Sequence, residues 1–188
     1  NEVMSAKFRN DKENLKKYYN ILMERFGDTP MAKMAKERIS IESNIEVGKT
    51  VPKFSFVSLD DPKTTFSETS FQGKTLLIDF WAVWCGPCIA EMENLHKAYE
   101  RFKPKNFEIL SLSFDPKPED VAKFRRDKWK MPWAHVFVEK GFGNDASKQF
   151  EVLGIPRPIL VDGNTGKILA MEGDLRGENL EKTLKKFL

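Results

Sequence analysis

The sequence predicts an α/β domain, a central mixed sheet flanked by helices, with a helical extension in front of it. Three observations carry the prediction. Apolar runs of strand length over residues 75–81 and 107–114 alternate with helix-patterned segments, as in βαβ units with parallel strands. Near the end, Asp162-Gly163-Asn164-Thr165-Gly166 is a strong turn between two strand-like segments, so the sheet closes with an antiparallel hairpin. The first 45 or so residues look helical and lack strand character.

Each element follows in order. Leu15, Tyr18, Tyr19, Leu22 and Phe26 recur at three- and four-residue spacing, and Gly27-Asp28-Thr29-Pro30 breaks the pattern. Thr29 caps a second helix with Pro30 in its first turn, and Met31, Met34, Ala35 and Ile39 form its apolar face. Residues 1–46 thus read as a helical hairpin, the remnant of a larger N-terminal region. It is a packing or linker element, or, through the adaptable methionines at 23, 31 and 34, a partner-binding one. Gly48 to Pro52 reads as the boundary, and residues 47–188 as the α/β domain. Phe54, Phe56 and Val57, a turn at Asp60-Asp61-Pro62, and Thr64-Thr65-Phe66 predict a short β-hairpin. The 75–81 run is apolar nearly throughout, as in a strand covered on both faces. From Gly86 to before Pro104, Cys88, Met92, Leu95, Tyr99 and Phe102 give one continuous buried helical face. Strand 107–114, a helix with Val121 and Phe124, strand 133–138, a short helix over 145–153 and strands at 159–161 and 167–171 follow. A last helix turns Leu180, Leu184, Phe187 and Leu188 inward.

Composition excludes several classes. Hydrophobic residues make up 40% and aromatics 12%, which fits a packed core and not disorder. The net charge of +3 is spread over 31% charged residues without a basic stripe, so no nucleic-acid or membrane-surface partner is expected. No apolar stretch approaches the roughly 20 residues of a membrane-spanning helix. The chain opens at Asn1 in polar, helix-like sequence without an initiator methionine, so the missing targeting signal is silent on the compartment.

The only two cysteines stand in Trp84-Cys85-Gly86-Pro87-Cys88, where the 75–81 strand gives way to a helix. A strand-to-helix junction sets a sulfur beside the free N–H groups of a helix start, which with the helix dipole favour the thiolate. The thiolate is the reactive species in disulfide exchange, and a second cysteine one turn later resolves the mixed disulfide. Asp79 lies within an otherwise apolar strand; burial there pushes its pKa toward neutrality. Zinc sites also use Cys-x-x-Cys, but His96, on the polar side of its helix, and His135, in strand-like sequence, are the only histidines. The fold would have to bring all four ligands together. No metal and no cofactor is expected.

The tract Asp79-Phe80-Trp81-Ala82-Val83-Trp84-Cys85-Gly86-Pro87-Cys88, a long helix after it, and Ile155-Pro156 just before a strand resemble the thioredoxin superfamily over roughly residues 48–188. Glu91-Met92, the insertion after strand 107–114, Leu160-Val161-Asp162-Gly163 and the N-terminal hairpin resemble its TlpA/ResA-like branch, tethered or secreted outside the cytoplasm. The helical preface is similar to that of extracytoplasmic thioredoxin-like proteins of Bacteroidetes. The resemblance implies a thioredoxin-like fold and a periplasmic or otherwise extracytoplasmic location, membrane-tethered in a full-length chain. It makes Cys85 the exposed nucleophile of low pKa, Cys88 the buried resolving thiol, and Asp79 a proton relay to that thiol. Relatives of this branch often carry Asn at the Asp79 position, so here the chain departs toward thioredoxin itself. Ile155-Pro156 resembles the cis-proline site, which presents the Ile155 backbone to an extended substrate strand and keeps metal ions off the thiols. Trp84 packs beside the site and contacts partners, whereas Trp81 belongs to the core. Gly86-Pro87 resembles the pair in reducing thioredoxins. Arg157 replaces the commoner Thr and either favours acidic substrates or points into water. Glu91 either influences the thiols or is a surface helix position.

The implied activity is reduction of protein disulfides, with disulfide-containing proteins and an upstream thiol reductant as partners. Two other functions compete. A peroxiredoxin-like peroxidase requires a Thr-x-x-Cys pocket, which the sequence lacks. A Cu(I)-holding dithiol module suits soft sulfur ligands, although copper-delivery relatives usually place three residues between the cysteines.

Overall fold

The computed structural model describes residues 2–8 and 11–188; Asn1, Arg9 and Asn10, inside the expected helical stretch, lie outside the described residues. The chain divides into two compact units, Asn1–Asn44 and Ile45–Leu188.

The first unit holds α1 (Glu2–Phe8), α2 (Lys12–Phe26) and α3 (Pro30–Arg38), so a further short helix precedes the expected pair and residues 39–44 are not helical. Asp11 caps α2 by accepting the Asn14 N–H at 3.1 Å. Thr29 caps α3 by accepting the Ala32 N–H at 3.2 Å, with Pro30 as its first residue. The buried face of α3 differs from the expected one: Ala32 and Ala35 are buried, while Met31 and Met34 are exposed. Helical spacing through Ala35 permits either stripe. The long methionines are the side chains left outside.

The second unit is built on a five-stranded sheet in the order β5-β4-β3-β6-β7, from β3 (Thr75–Trp81), β4 (Phe107–Ser113), β5 (Ala134–Phe137), β6 (Arg157–Asp162) and β7 (Ile168–Met171). β3 runs parallel to β4 and β4 to β5, whereas β6 is antiparallel to both β3 and β7. A separate antiparallel hairpin, β1 (Ser55–Val57) and β2 (Thr65–Ser67), precedes it. The helices are α4 (Gly86–Ala90), α5 (Met92–Phe102), α6 (Pro118–Asp127), α7 (Asp145–Gln149) and α8 (Glu178–Phe187). This is the thioredoxin-like mixed sheet with flanking helices that the sequence predicts.

β3 is the middle strand, buried from Leu76 to Trp81, and its side chains alternate between two layers. On one face Trp81 meets Phe124 of α6 at 5.6 Å between ring centroids, and α5 packs on α8. On the other, Phe80 meets Phe114 and Phe150, and Phe150 meets Phe54 and Phe56. The 48–52 stretch is no free linker. Gly48 and Val51 donate to the carbonyls of Ile168 and Gly166, each at 2.8 Å, and cover the β7 edge. In the β6–β7 turn, Asp162 accepts the Asn164 and Thr165 N–H groups at 2.8 and 3.1 Å. A Cβ on Gly163 would lie 2.0 Å from the Phe71 carbonyl oxygen, so only glycine fits.

Two expected faces are corrected. Phe187 is exposed, while Leu180, Leu184 and Leu188, four residues apart along α8, face the core as expected. His96 is not on a polar face. Its Nδ1 lies 2.7 Å from the Met92 carbonyl, its Nε2 meets the Lys130 carbonyl, and its ring packs on Trp129 and Trp133.

Candidate active site

The site grows from the end of β3. After Trp81 the chain leaves the sheet, and Cys85 donates its N–H to Ala82 O at 3.1 Å, closing a tight loop. Cys85 is the N-cap of α4, and Pro87 lies in the first turn, where no N–H is missed. Cys85 and Cys88 are joined in a disulfide, and the Cys88 N–H points at the Cys85 sulfur at 3.2 Å. In the reduced protein that donor, with the helix start behind it, favours a Cys85 thiolate. Cys85 is not exposed as expected: it is 4% accessible against 2% for Cys88, and both belong to the packed core. The accessible part of the motif is its flank, Trp84 at 55% together with Gly86 and Pro87.

The helix after the cysteines is interrupted. α4 ends at Ala90, Glu91 stands at φ −84° and ψ −11°, and α5 starts at Met92. The buried face nonetheless continues through Cys88, Met92, Leu95, Tyr99 and Phe102. Glu91 is more than a surface position. Its carboxylate accepts the Gly177 N–H at 2.8 Å and the Asn94 side-chain amide at 3.1 Å.

Asp79 sits inside β3, 5% accessible. Burial pushes its carboxyl up to about 7; Arg176 pulls it down and Glu91 pushes it further up. The antiparallel register pairs Phe80 with Arg157, which sets Ile155-Pro156 at the end of β3 from which the chain runs into the cysteine loop. The Ile155–Pro156 bond is cis. Pro156 is buried and Ile155 partly so. Arg157 takes neither expected course. Its side chain is 12% accessible and pairs with Glu172, and its Nε donates to Phe150 O at 3.3 Å. Burial lowers its pKa, and the facing Glu172 and Glu151 oppose that shift.

Three residues here escape the sequence reading. Asp115 grips the loop through Val83; its only sequence signal is its place just beyond a strand parallel to β3. Arg176 and Glu172 reach the site from the segment before α8, and no spacing in the sequence points to them.

The model of the redoxin family matches residues 46–176. The chain belongs to the redoxin family. The thiol-disulfide oxidoreductase ResA of Bacillus cereus is 32% identical to it over 149 residues, 79% of this chain and 82% of ResA. The thiol:disulfide interchange protein DsbE of Vibrio cholerae is 28% identical over 142 residues, 75% of this chain and 73% of DsbE. Among solved structures, the thioredoxin domain of a thiol-disulfide oxidoreductase from Bacteroides vulgatus superposes with a TM-score of 0.66 at 35% identity, covering 76% of this chain and 98% of that one. A thiol:disulfide interchange protein from Bacteroides sp. gives 0.67 at 34%, covering 77% and 91%. This redoxin is a TlpA/ResA-like member of the thioredoxin superfamily and a disulfide oxidoreductase.

Proposed function

We propose that this redoxin reduces disulfides in proteins through its Cys85–Cys88 dithiol, outside the cytoplasm. The observation that carries the reading is the seating of the pair: a sulfur at a helix cap with an N–H aimed at it, after a strand whose one carboxyl, Asp79, is buried. The Cys85 thiolate attacks one sulfur of a substrate disulfide. A Cys85–substrate bond forms, the substrate S–S bond breaks, and the departing thiolate takes a proton from solvent. Cys88 then gives its proton to the Asp79 carboxylate and attacks Cys85. The Cys85–Cys88 bond forms and the second substrate sulfur leaves as a thiolate. The substrate gains two electrons, the dithiol loses two, and an upstream thiol reductant restores them.

Exposed Trp84, Gly86 and Pro87 form the surface the substrate meets, and the Ile155 backbone beside Pro156 receives its extended strand. The Gly86-Pro87 pair, similar to that of reducing thioredoxins, favours the reducing direction. The TlpA/ResA-like kinship supports the extracytoplasmic location; no helix among the described residues is long and apolar enough to cross a membrane.

The test is the reduction potential of the pair in glutathione or dithiothreitol buffers, with insulin turnover measured alongside. A reductase is expected near about −270 mV with catalytic turnover. A value near about −120 mV overturns the reducing direction. Stoichiometric Cu(I) retention without turnover overturns the exchange reading.

A further inference from the structure

The segment over residues 172–177 lies between β7 and α8 and holds no residue of the exchange reaction. It nonetheless touches both sides of the site. Arg176 donates from its guanidinium to the Pro156 carbonyl at 2.5 Å. Gly177, the next residue, gives its N–H to the Glu91 carboxylate at 2.8 Å. Glu91 stands at the break between α4 and α5, three residues after Cys88, and Pro156 directly precedes β6. Two consecutive residues thus bridge the helix that carries the cysteines and the turn that faces them.

The segment is itself held in place. Glu172 pairs with Arg157, the residue after Pro156, and lies 3.9 Å from the Arg176 guanidinium. Arg157 also donates from Nε to the Phe150 carbonyl at 3.3 Å. Pro156 is therefore gripped twice, through its own carbonyl and through the residue that follows it. Glu172 stands at φ +53°, in the left-handed region that a non-glycine residue seldom enters, and Gly177 at φ +54°. Such backbone persists only where its surroundings hold it, and it gathers at functional sites. The Arg176 Nε is enclosed and has no hydrogen-bond partner among the described residues. An enclosed N–H left unpaired costs stability, so folding alone does not account for this arginine.

We propose that residues 172–177 are a strap that sets the Pro156 turn against the cysteine-bearing helix, with Arg176 as its positioning residue. This rests on the exchange reaction proposed above. A protein substrate has to meet Cys85 and the Ile155 backbone together, so the spacing of the two decides how readily its disulfide is attacked. A small disulfide needs Cys85 alone. The strap therefore acts on protein disulfides and leaves the chemistry of the sulfur untouched. The hydrogen bond from Arg176 is charge-assisted, which makes it one of the stronger ties available to a backbone carbonyl. Lysine keeps a donor and the charge at this position, whereas methionine keeps only an unbranched apolar stem.

The experiment uses the whole chain with Cys88→Ser, alone and combined with Arg176→Met, Arg176→Lys or Gly177→Ala. In that background no resolving step follows, so only the meeting of a disulfide with Cys85 is read. It measures the second-order rate of adduct formation with insulin and with the small disulfide dithiobis(nitrobenzoate). It also measures hydrogen exchange at the Arg157 amide, beside Phe80 in the sheet. Arg176→Met is expected to slow the insulin reaction about tenfold, to leave the small-disulfide rate within about twofold and to speed Arg157 exchange about tenfold. Arg176→Lys should keep the insulin rate within about threefold of the Cys88→Ser parent. Gly177→Ala adds a methyl group in open space but disfavours the φ of +54°, and should also slow the insulin reaction alone. An unmoved insulin rate in Arg176→Met overturns the proposal, as does an equal loss with the small disulfide, a lysine variant no faster than the methionine one, or unmoved Arg157 exchange. Should Arg176→Met not fold, an unmoved insulin rate in Gly177→Ala overturns it. Absence of any insulin adduct with Cys88→Ser alone overturns the exchange reading instead, and Arg157 exchange reads the strap independently of it.

Discussion

Both carboxylate oxygens of Asp115 accept the Val83 N–H, at 3.0 and 3.2 Å. The parallel register that pairs Trp81 with Ser113 brings residues 83 and 115 together two steps further on. A residue just beyond β4 therefore grips the loop that β3 sends to the cysteines. The Ser113 hydroxyl donates to the same carboxylate at 2.7 Å. Burial raises the Asp115 pKa, and the hydrogen bonds from Ser113 and Val83 lower it.

Asp115→Asn leaves one oxygen where two accept, and turns an amide donor toward groups that already donate. We expect a loss of about 1–3 kcal/mol in stability and slower disulfide exchange, because the Cys85 loop loses its anchor. Urea unfolding and insulin turnover check this; unchanged turnover in a destabilised protein would confine Asp115 to folding.

Cys88→Ser should trap the reaction halfway. Cys85 still attacks, but nothing resolves the Cys85–substrate bond, so intact-mass spectrometry after mixing with a disulfide peptide should show a stable one-to-one adduct. Cys85→Ser should show almost none. Equal adducts from both variants would contradict the assignment of Cys85 as nucleophile.

Asp79 makes stability depend on pH with a defined sign. Its carboxyl holds its proton to about 7 in the folded chain, against 3.8 as the ordinary value. Between those limits the native state binds the extra proton, so stability is fully present below the lower limit and falls as pH rises through the upper one. Asp79→Asn removes that slope. It should be more stable than wild type by about 2–4 kcal/mol at pH 8 while losing about tenfold or more in kcat. Urea midpoints at pH 5 and pH 8, compared between the two proteins, give the answer.

His135 supplies the opposite slope. Burial first, and the Arg125 charge second, hold its pKa down to about 4, against the Met131 carbonyl contact that favours the cation. Below its ordinary 6.5 the unfolded chain takes the extra proton, so stability is lost as pH falls toward 4. Over that interval His135 and Asp79 offset each other. Asp79→Asn should therefore expose an acid-side loss of about 1 kcal/mol per pH unit, and adding His135→Phe should flatten it. A flat Asp79→Asn curve between pH 4.5 and 6.5 would rule the offset out.

Much of this molecule is legible along the chain because the signals are local. The apolar run of β3, the Thr29–Pro30 helix start, the Asp162–Gly166 turn and the cysteine motif each depend on neighbours a few residues apart. Period, cap and turn chemistry are read at that range. The order of strands and helices follows from them, and with it the junction that seats Cys85 beside a helix start.

The direction in which charged side chains turn is decided elsewhere. Arg157 reads as an acidic-substrate contact or a solvated residue, and is enclosed against Glu172, 15 positions away. Glu91 reads as an influence on the thiols or as helix surface, and meets the backbone of Gly177 across 86 positions. Arg176 carries no local signal and reaches Pro156 across 20. Even the burial of Cys85 belongs here, since the core packed around it, and not the motif, sets its accessibility. By itself the sequence determined the sheet, the redox pair and the buried carboxyl in β3, because backbone periodicity and burial act over a few residues. Only the tertiary structure decided which charges surround that carboxyl, because a buried charge is tolerated only where distant segments converge to compensate it.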